Sequence, residues 1–196
     1  MTNITLSHIR SFFSSFCREE ITDNTLMRAG VLVPLFIQNG ELRVIFTQRT
    51  DEVEHHKGQI SFPGGAMDKE DQTIIDTALR EADEEIGLKR DFVETIGIYN
   101  DFRTPSGFCI TPVVGFLERI QSFILNKNEV SEIFDVPLSF FLDSHNERVE
   151  RHELFGKTRN VYCYIYGKYK IWGATAAMLR SFLIDLTDQT RWKKTL

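Results

Sequence analysis

Apolar and polar positions along the chain fall into a few distinct rhythms, and each rhythm predicts an element. Residues 28–38, RAGVLVPLFIQ, are β-branched and nearly continuous in apolar character, the pattern of a central strand whose ladder Pro34 limits locally. Asn39-Gly40 supplies a hairpin turn, and residues 42–48 return as the partner strand, closed by Arg49. Further strands are predicted at about 92–99 and 109–117. A hairpin from 149–155 and 160–166 turns around Gly156-Lys157, and 169–172 is expected to extend the sheet.

Helical spacing governs three other stretches. Residues 5–20 place Leu6, Ile9, Phe12, Phe13 and Phe16 on one side, with Thr5 or Ser7 as the cap. So much phenylalanine needs a surface to cover. Basic residues are scarce on the polar side, so docking on the chain's own core is preferred to a membrane surface or a dimer contact. Residues 71–86 carry Ile74, Ile75, Ala78, Leu79 and Ala82 as an apolar stripe with the glutamates on a different edge, and Gly87 ends the helix. The last helix, 174–186, buries Ala176, Leu179, Phe182 and Leu183.

Chemistry concentrates in the second of these helices and the loop before it. Glu81, Glu84 and Glu85 stand three and four residues apart, which groups their carboxylates on one face. Like charges so crowded repel, so the arrangement makes most sense with hard divalent cations among the oxygens, magnesium first. Phe62-Pro63-Gly64-Gly65 precedes the helix as a turn-forming run whose glycines let a carbonyl face a metal or phosphate. Strand, glycine loop and acidic helix together form a layout for holding a metal-bound phosphate chain.

Other polar residues have two readings each. Arg49 reaches a phosphate with its fork or simply faces solvent. His55, His56 and Lys57 lie in a polar loop; zinc is disfavoured because no further ligands come at the right spacing, leaving a solvated loop or a substrate contact. Arg103, Thr104 and Ser106 beside Gly107 offer donors for phosphate or adenine, with Phe108 available to pack on a base, though alone this is only a turn. Glu129 and Glu132 open a helical or turn segment leading to Pro137; surface solvation is preferred for both, with Glu129 as the one to watch.

Composition narrows the class. The 196 residues are 42% hydrophobic and 26% charged, a globular balance with length for one domain and a proper core. The 16 phenylalanines are expected to be mostly core. A net charge of −5 argues against a general nucleic-acid binder and requires any anionic substrate to be neutralised locally. Cys17, Cys109 and Cys163 form no CxxC pair, and their odd count points to buried structural thiols in a reducing cytosol. Neither a signal peptide nor a membrane-spanning run is apparent, so the cytoplasm is the expected location.

Gly65, Arg80, Glu81, Ala82, Glu84, Glu85, Gly87 and Leu88 resemble the Nudix box. Two departures stand out: one extra residue separates Gly65 from Arg80, so the box's first glutamate falls on Asp71 or Gln72, and a bulky aliphatic position is the small Ala82. Thr47-Gln48-Arg49, together with His56-Lys57-Gly58-Gln59-Ile60-Ser61-Phe62-Pro63-Gly64-Gly65, is similar to the motif preceding the box in the coenzyme A pyrophosphatase branch, which tolerates the longer gap. Further similarity continues to Ile171-Trp172-Gly173-Ala174-Thr175-Ala176, covering about residues 28–185.

This resemblance implies a single α/β (α+β) domain over 1–196, a mixed sheet between helices, with 1–25 as an N-terminal helical extension. It implies an enzyme that hydrolyses the diphosphate of coenzyme A or a derivative to 3′,5′-ADP and 4′-phosphopantetheine or its acyl form. Mg²⁺ or Mn²⁺ would be held by Glu81, Glu84, Glu85 and the Gly65 carbonyl, with Arg80 orienting the acids and Glu81 or Glu84 serving the attacking water. Arg49, Lys57, Arg103, Thr104, Ser106 and Phe108 would line the substrate. The partner is then a small nucleotide, not nucleic acid or membrane, and a homodimer through the N-terminal helix stays open. Two alternatives also stand: cleavage of another nucleoside diphosphate derivative, such as ADP-ribose, a dinucleotide or an oxidised nucleotide, and a non-catalytic sensing module.

Overall fold

The computed structural model describes residues 4–50, 57–154 and 157–188. In chain order the elements are α1 (Leu6–Ser15), β1 (Met27–Gln38), β2 (Glu41–Arg49), β3 (Ile60–Ser61), β4 (Gly64–Ala66), α2 (Ile74–Ile86), β5 (Val93–Ile98), β6 (Phe102–Arg103) and β7 (Phe108–Leu117). They continue with β8 (Val130–Pro137), α3 (Leu138–Leu142), β9 (Glu147–Leu154), β10 (Lys157–Tyr166), β11 (Tyr169–Trp172) and α4 (Gly173–Thr187). Phe155, Gly156, His55 and His56 lie outside the described residues, so the expected turn at Gly156 and the histidine pair are not placed.

The main sheet is mixed and runs β3-β2-β1-β7-β5, with β4 beside β1, β6 beside β7 and β8 beside β2. β1 pairs in parallel with β7 from Met27↔Phe108 to Phe36↔Leu117 and antiparallel with β2 and β4. Successive residues of a strand face opposite sides of the sheet. Leu32 and Phe36 accordingly face α2 with Ala78, Leu79, Ala82 and Ile86, while Val31, Val33 and Leu35 enter the core of the other face. Burial on both sides explains the unbroken apolar run. Pro34 is tolerated inside it for a local reason. Leu32 donates its N–H to the Pro63 carbonyl at 2.9 Å. Pro34, two residues on, turns its nitrogen to the same side, where the β4 ladder has ended and the β2 ladder begins at Leu35.

The second face is covered by α1, α3, α4 and a separate sheet ordered β11-β10-β9. α1 docks here through Phe12 and Phe13, both against Phe182, and Phe16 stacks on Tyr99 at 5.3 Å just beyond the helix. Thr5 is its cap. The following segment is tied down by Asp101, which accepts from Arg18 at 2.7 Å and from the Ile21 N–H at 2.9 Å.

Several expectations require correction. β11 extends the hairpin as expected, by pairing with β10 on the edge opposite β9, but these three strands form a sheet of their own rather than part of one mixed sheet. Residues 130–137 are a strand rather than a helix or turn, because the whole length of β2 lies open to them from Arg43↔Pro137 to Arg49↔Val130. Cys109 and Cys163 are buried thiols, but Cys17 is exposed, since it falls after the last turn of α1. The helix carrying the glutamates starts at Ile74, not Asp71. Thr73 caps it in a reciprocal box with Asp76, at 3.2 Å to the Asp76 N–H and 2.9 Å back from the Thr73 N–H. Gly87 closes it at φ 68°.

Candidate active site

α2 approaches β1 so closely that a Cβ at Gly30 would lie 2.8 Å from the Ile74 carbonyl and 3.1 Å from the Ala78 nitrogen. Gly30 pairs with Gly65 across the ladder, so one glycine admits the helix and the other admits its acid. A Cβ on Gly65 would sit 2.5 Å from the Glu81 Cδ. Glu81 is thus pressed against bare backbone. Burial raises its carboxyl above the usual range against the pull of Arg80, with Glu84 and Glu129 pushing the same way as burial.

One turn further, Glu85 is only 2% exposed. It belongs to the buried face of α2 with Ile74, Thr77, Ala78, Leu79, Ala82 and Ile86, not to a separate acidic edge. Desolvation lifts its pKa from 4.5 to about 8, opposed by Arg49 and reinforced by Glu81 and Glu129. Its Oε1 lies 3.7 Å from the Arg49 Nη1. Its Oε2 and the Arg49 Nε are both buried without a hydrogen-bond partner. Two orphaned polar atoms at one place are costly in a packed interior and mark a position shaped for something else.

Arg80 organises the outer half of the site. Its Nε and Nη2 grip both oxygens of Asp71 at 3.0 and 2.9 Å, its Nη1 holds Glu81 and Glu84 at 2.9 Å each, and Nη2 also donates to the Ala66 carbonyl at 3.1 Å. This fork keeps the Asp71 carboxyl down at about 2. The extra residue before Arg80 is thereby resolved: Asp71, ahead of the helix cap, folds back to the arginine, whereas Gln72 is exposed. Glu84 is 55% exposed on its side chain and turned to Arg80. It therefore does not join Glu81 and Glu85 on one inward face, and among the described residues no three acidic, histidine or cysteine groups form a ready metal cage.

Glu129 is the acid that the sequence undervalued. A bulge in the β2–β8 ladder between Gln48↔Glu132 and Arg49↔Val130 brings it up to the site. Its carbonyl accepts from the Thr50 N–H at 2.9 Å and its carboxylate from Asn126 at 2.9 Å, while the Asn126 N–H caps the Glu85 carbonyl at 2.9 Å. The sequence reading missed Asn126, whose side chain forms a local turn by accepting from the Asn128 N–H at 3.2 Å. Glu132 instead pairs with Lys168 at 2.8 Å.

The proposed substrate residues divide. Arg49 is in the site. Lys57 is exposed beside Gly58 at the end of β2. Arg103 is engaged by Asp23, and Thr104 binds Ser106 and the Phe108 N–H within its own turn, at 2.9 and 3.0 Å. That turn sits at the start of β1, where Met27 donates to the Gly107 carbonyl, and no described hydrogen bond links it to the glutamates.

The donor set fits a hard divalent cation: the buried Glu85 carboxylate with its orphaned Oε2, beside Glu81, both carboxyls being pushed up first by burial and further by neighbouring acids. A glycine-backed pair of helix glutamates with a clamping arginine makes an acid-lined site suited to a cation and the phosphate oxygens it would hold. The NUDIX domain family model matches residues 26–154. The chain belongs to the Nudix hydrolase family. It is similar to the uncharacterized Nudix hydrolase NudL of Pectobacterium atrosepticum, 36% identical over 165 residues with 83% of this chain and 84% of the relative covered. NudL of Salmonella heidelberg is 35% identical over 190 residues, covering 94% and 96%. In fold it is similar to a Deinococcus radiodurans protein, TM-score 0.52 at 17% identity over 82% of this chain and 87% of the other. It is thus a hydrolase of a nucleoside diphosphate derivative, in a family that generally uses divalent metal ions.

Gly65→Ala tests the close approach. The new Cβ displaces the end of a flexible side chain rather than backbone, so the melting temperature is expected to move little while kcat falls about tenfold or more. Thermal melts and steady-state rates on the same samples check it.

Proposed function

We propose that this chain hydrolyses the diphosphate of coenzyme A or its derivatives, releasing 3′,5′-ADP and 4′-phosphopantetheine or the acyl form. The observation that carries the chemistry is the buried Glu85, with its partnerless oxygen, one turn from Glu81 against Gly65. The choice of coenzyme A is supported by the motif at residues 47–65, whose segments form the end of β2, β3 and β4 around the site.

Glu81 and Glu85 would hold the cation, Mg²⁺ or Mn²⁺, with Gly65 beside them and Glu129 completing the charge. That ion supplies neutralisation of the diphosphate oxygens and a more acidic water. Arg49, relieved of Glu85, donates through its orphaned Nε to a phosphate oxygen. Arg80 holds Glu81, which accepts a proton as the water oxygen bonds to phosphorus and the bridging P–O bond breaks toward the departing phosphate. Glu84 assists from the solvent side through the same arginine. The whole chain acts as one domain in the cytoplasm; no helix among the described residues is long and apolar enough to cross a membrane.

Chromatography of products after incubation with coenzyme A, ADP-ribose and a dinucleotide, with Mg²⁺ and with chelator, tests this. Metal-dependent 3′,5′-ADP from coenzyme A in clear preference is expected. Preference for another substrate keeps the hydrolase and rejects coenzyme A.

A further inference from the structure

A pocket of about 370 Å³ opens between the end of β2, the start of β3 and β11, lined by Gln48, Lys57, Gly58, Ile60, Lys168, Lys170 and the rings of Tyr169 and Trp172. Three lysines converge here in a chain whose net charge is −5. Lys168 and Lys170 are each matched to one acid, Glu132 at 2.8 Å and Glu150 at 2.9 Å, and Lys57 has no acidic partner among the described residues. All three ammonium groups keep further donors to offer a phosphate. His152 stacks on Trp172 at 5.6 Å, which steadies the indole as a wall of the pocket.

Its position relates it to the acids. Gln48 is the neighbour of Arg49, and the two side chains of a strand alternate between faces. The Arg49 N–H donates to the Gln59 carbonyl at 2.9 Å, and Gln48 reaches the Gly58 carbonyl at 3.3 Å, so the pocket wall is the same backbone that presents Arg49 to Glu85. A ligand whose diphosphate lies at Glu85 enters the pocket only by passing around the end of β2. That suits a substrate with a second anionic group several bonds from the diphosphate, beside a flat ring.

The geometry points to this pocket as the subsite for a phosphorylated purine nucleoside, Lys168, Lys170 and Lys57 taking a phosphate outside the scissile diphosphate and Trp172 the base. It rests on the reading that the substrate carries a 3′-phosphoadenosine end. The subsite then supplies selectivity for the 3′-phosphate, while the chemistry stays with the glutamates.

Fluorescence of Trp172 in a Trp192→Phe background, where it is the sole tryptophan, reads occupancy without turnover. With 3′,5′-ADP as probe, quenching is expected at roughly tenfold or lower concentration than with 5′-AMP. Lys168→Ala/Lys170→Ala should remove that preference, Lys168→Arg/Lys170→Arg should keep most of it, and thermal melts confirm that both remain folded. Equal quenching by the two nucleotides, or an unchanged preference in the alanine variant, overturns the subsite. Selective quenching with coenzyme A left uncut upholds the subsite and removes coenzyme A as the substrate. Coenzyme A turnover with the same KM in the alanine variant does the reverse.

Discussion

Glu85→Gln is expected to lower metal-dependent kcat by roughly 10²–10³-fold and, in chelator at pH 8, to leave the protein more stable than the native chain. Both effects follow from one fact: a carboxylate only 2% exposed with an oxygen that nothing satisfies. Glutamine nearly preserves shape and removes the charge. On the proposed mechanism turnover falls because the cation loses an anionic ligand. Stability rises because burial has pushed the carboxyl from 4.5 to about 8. A group whose pKa is raised by folding contributes stability fully below its unfolded value, and that contribution is lost as pH rises through the folded value. The metal-free native chain should thus weaken between about pH 4.5 and 8, by on the order of 2–4 kcal/mol, while the variant stays level over that window. On the same proposal Mg²⁺ binds the ionised form and is expected to reverse the trend, raising the native melting temperature more at pH 8 than at pH 6. Melts in EDTA and in Mg²⁺ across this range check it. A flat native profile in EDTA would place Glu85 in contact with water.

How far the sequence disclosed this site depends on how local each residue's placement is. Glu81 and Glu85, one turn apart behind two glycines, were readable because a helix fixes their relation whatever surrounds it. Periodicity could not say which of the adjacent Glu84 and Glu85 faces inward. That is decided by how α2 sits on β1, and so by Gly30, far earlier in the chain, where a side chain would strike the helix backbone. Asp71 was ambiguous with Gln72 until Thr73 was seen to cap the helix and leave Asp71 outside it. Glu129 was hidden more deeply. Ser131 and Glu132 break the apolar alternation of β8, and the bulge that delivers Glu129 exists only once β8 lies on β2. The second sheet was misjudged similarly: its strands were readable, but nothing in their residues says that they form a sheet of their own. Arg103, Thr104, Ser106 and Phe108 had donor chemistry without a tether, and they satisfy one another or Asp23 in a turn at the start of β1.

Arg80→Lys, conservative in charge, is expected to cost about 2–3 kcal/mol at pH 7 and roughly 10²-fold in kcat. Lysine offers one point where the guanidinium fork serves Asp71 through two nitrogens, Glu81, Glu84 and the Ala66 carbonyl together. The Asp71 side chain is 5% exposed, so losing its planar partner leaves a carboxylate poorly paired and out of reach of water. Its pKa, held at about 2 against 3.8, gives this loss a pH signature. A depressed carboxyl contributes stability above its unfolded value, and the contribution disappears as pH falls through the folded one. The gap in unfolding free energy between native and variant should therefore be full above pH 4 and narrow steadily toward pH 2. Urea titrations along that series measure it. A gap that stays constant would mean that the Asp71 fork is not its source, and that Arg80 acts on Glu81 and Glu84 alone. The kinetic loss should persist even where the stability gap closes, because Glu81 depends on the same guanidinium for its position over Gly65.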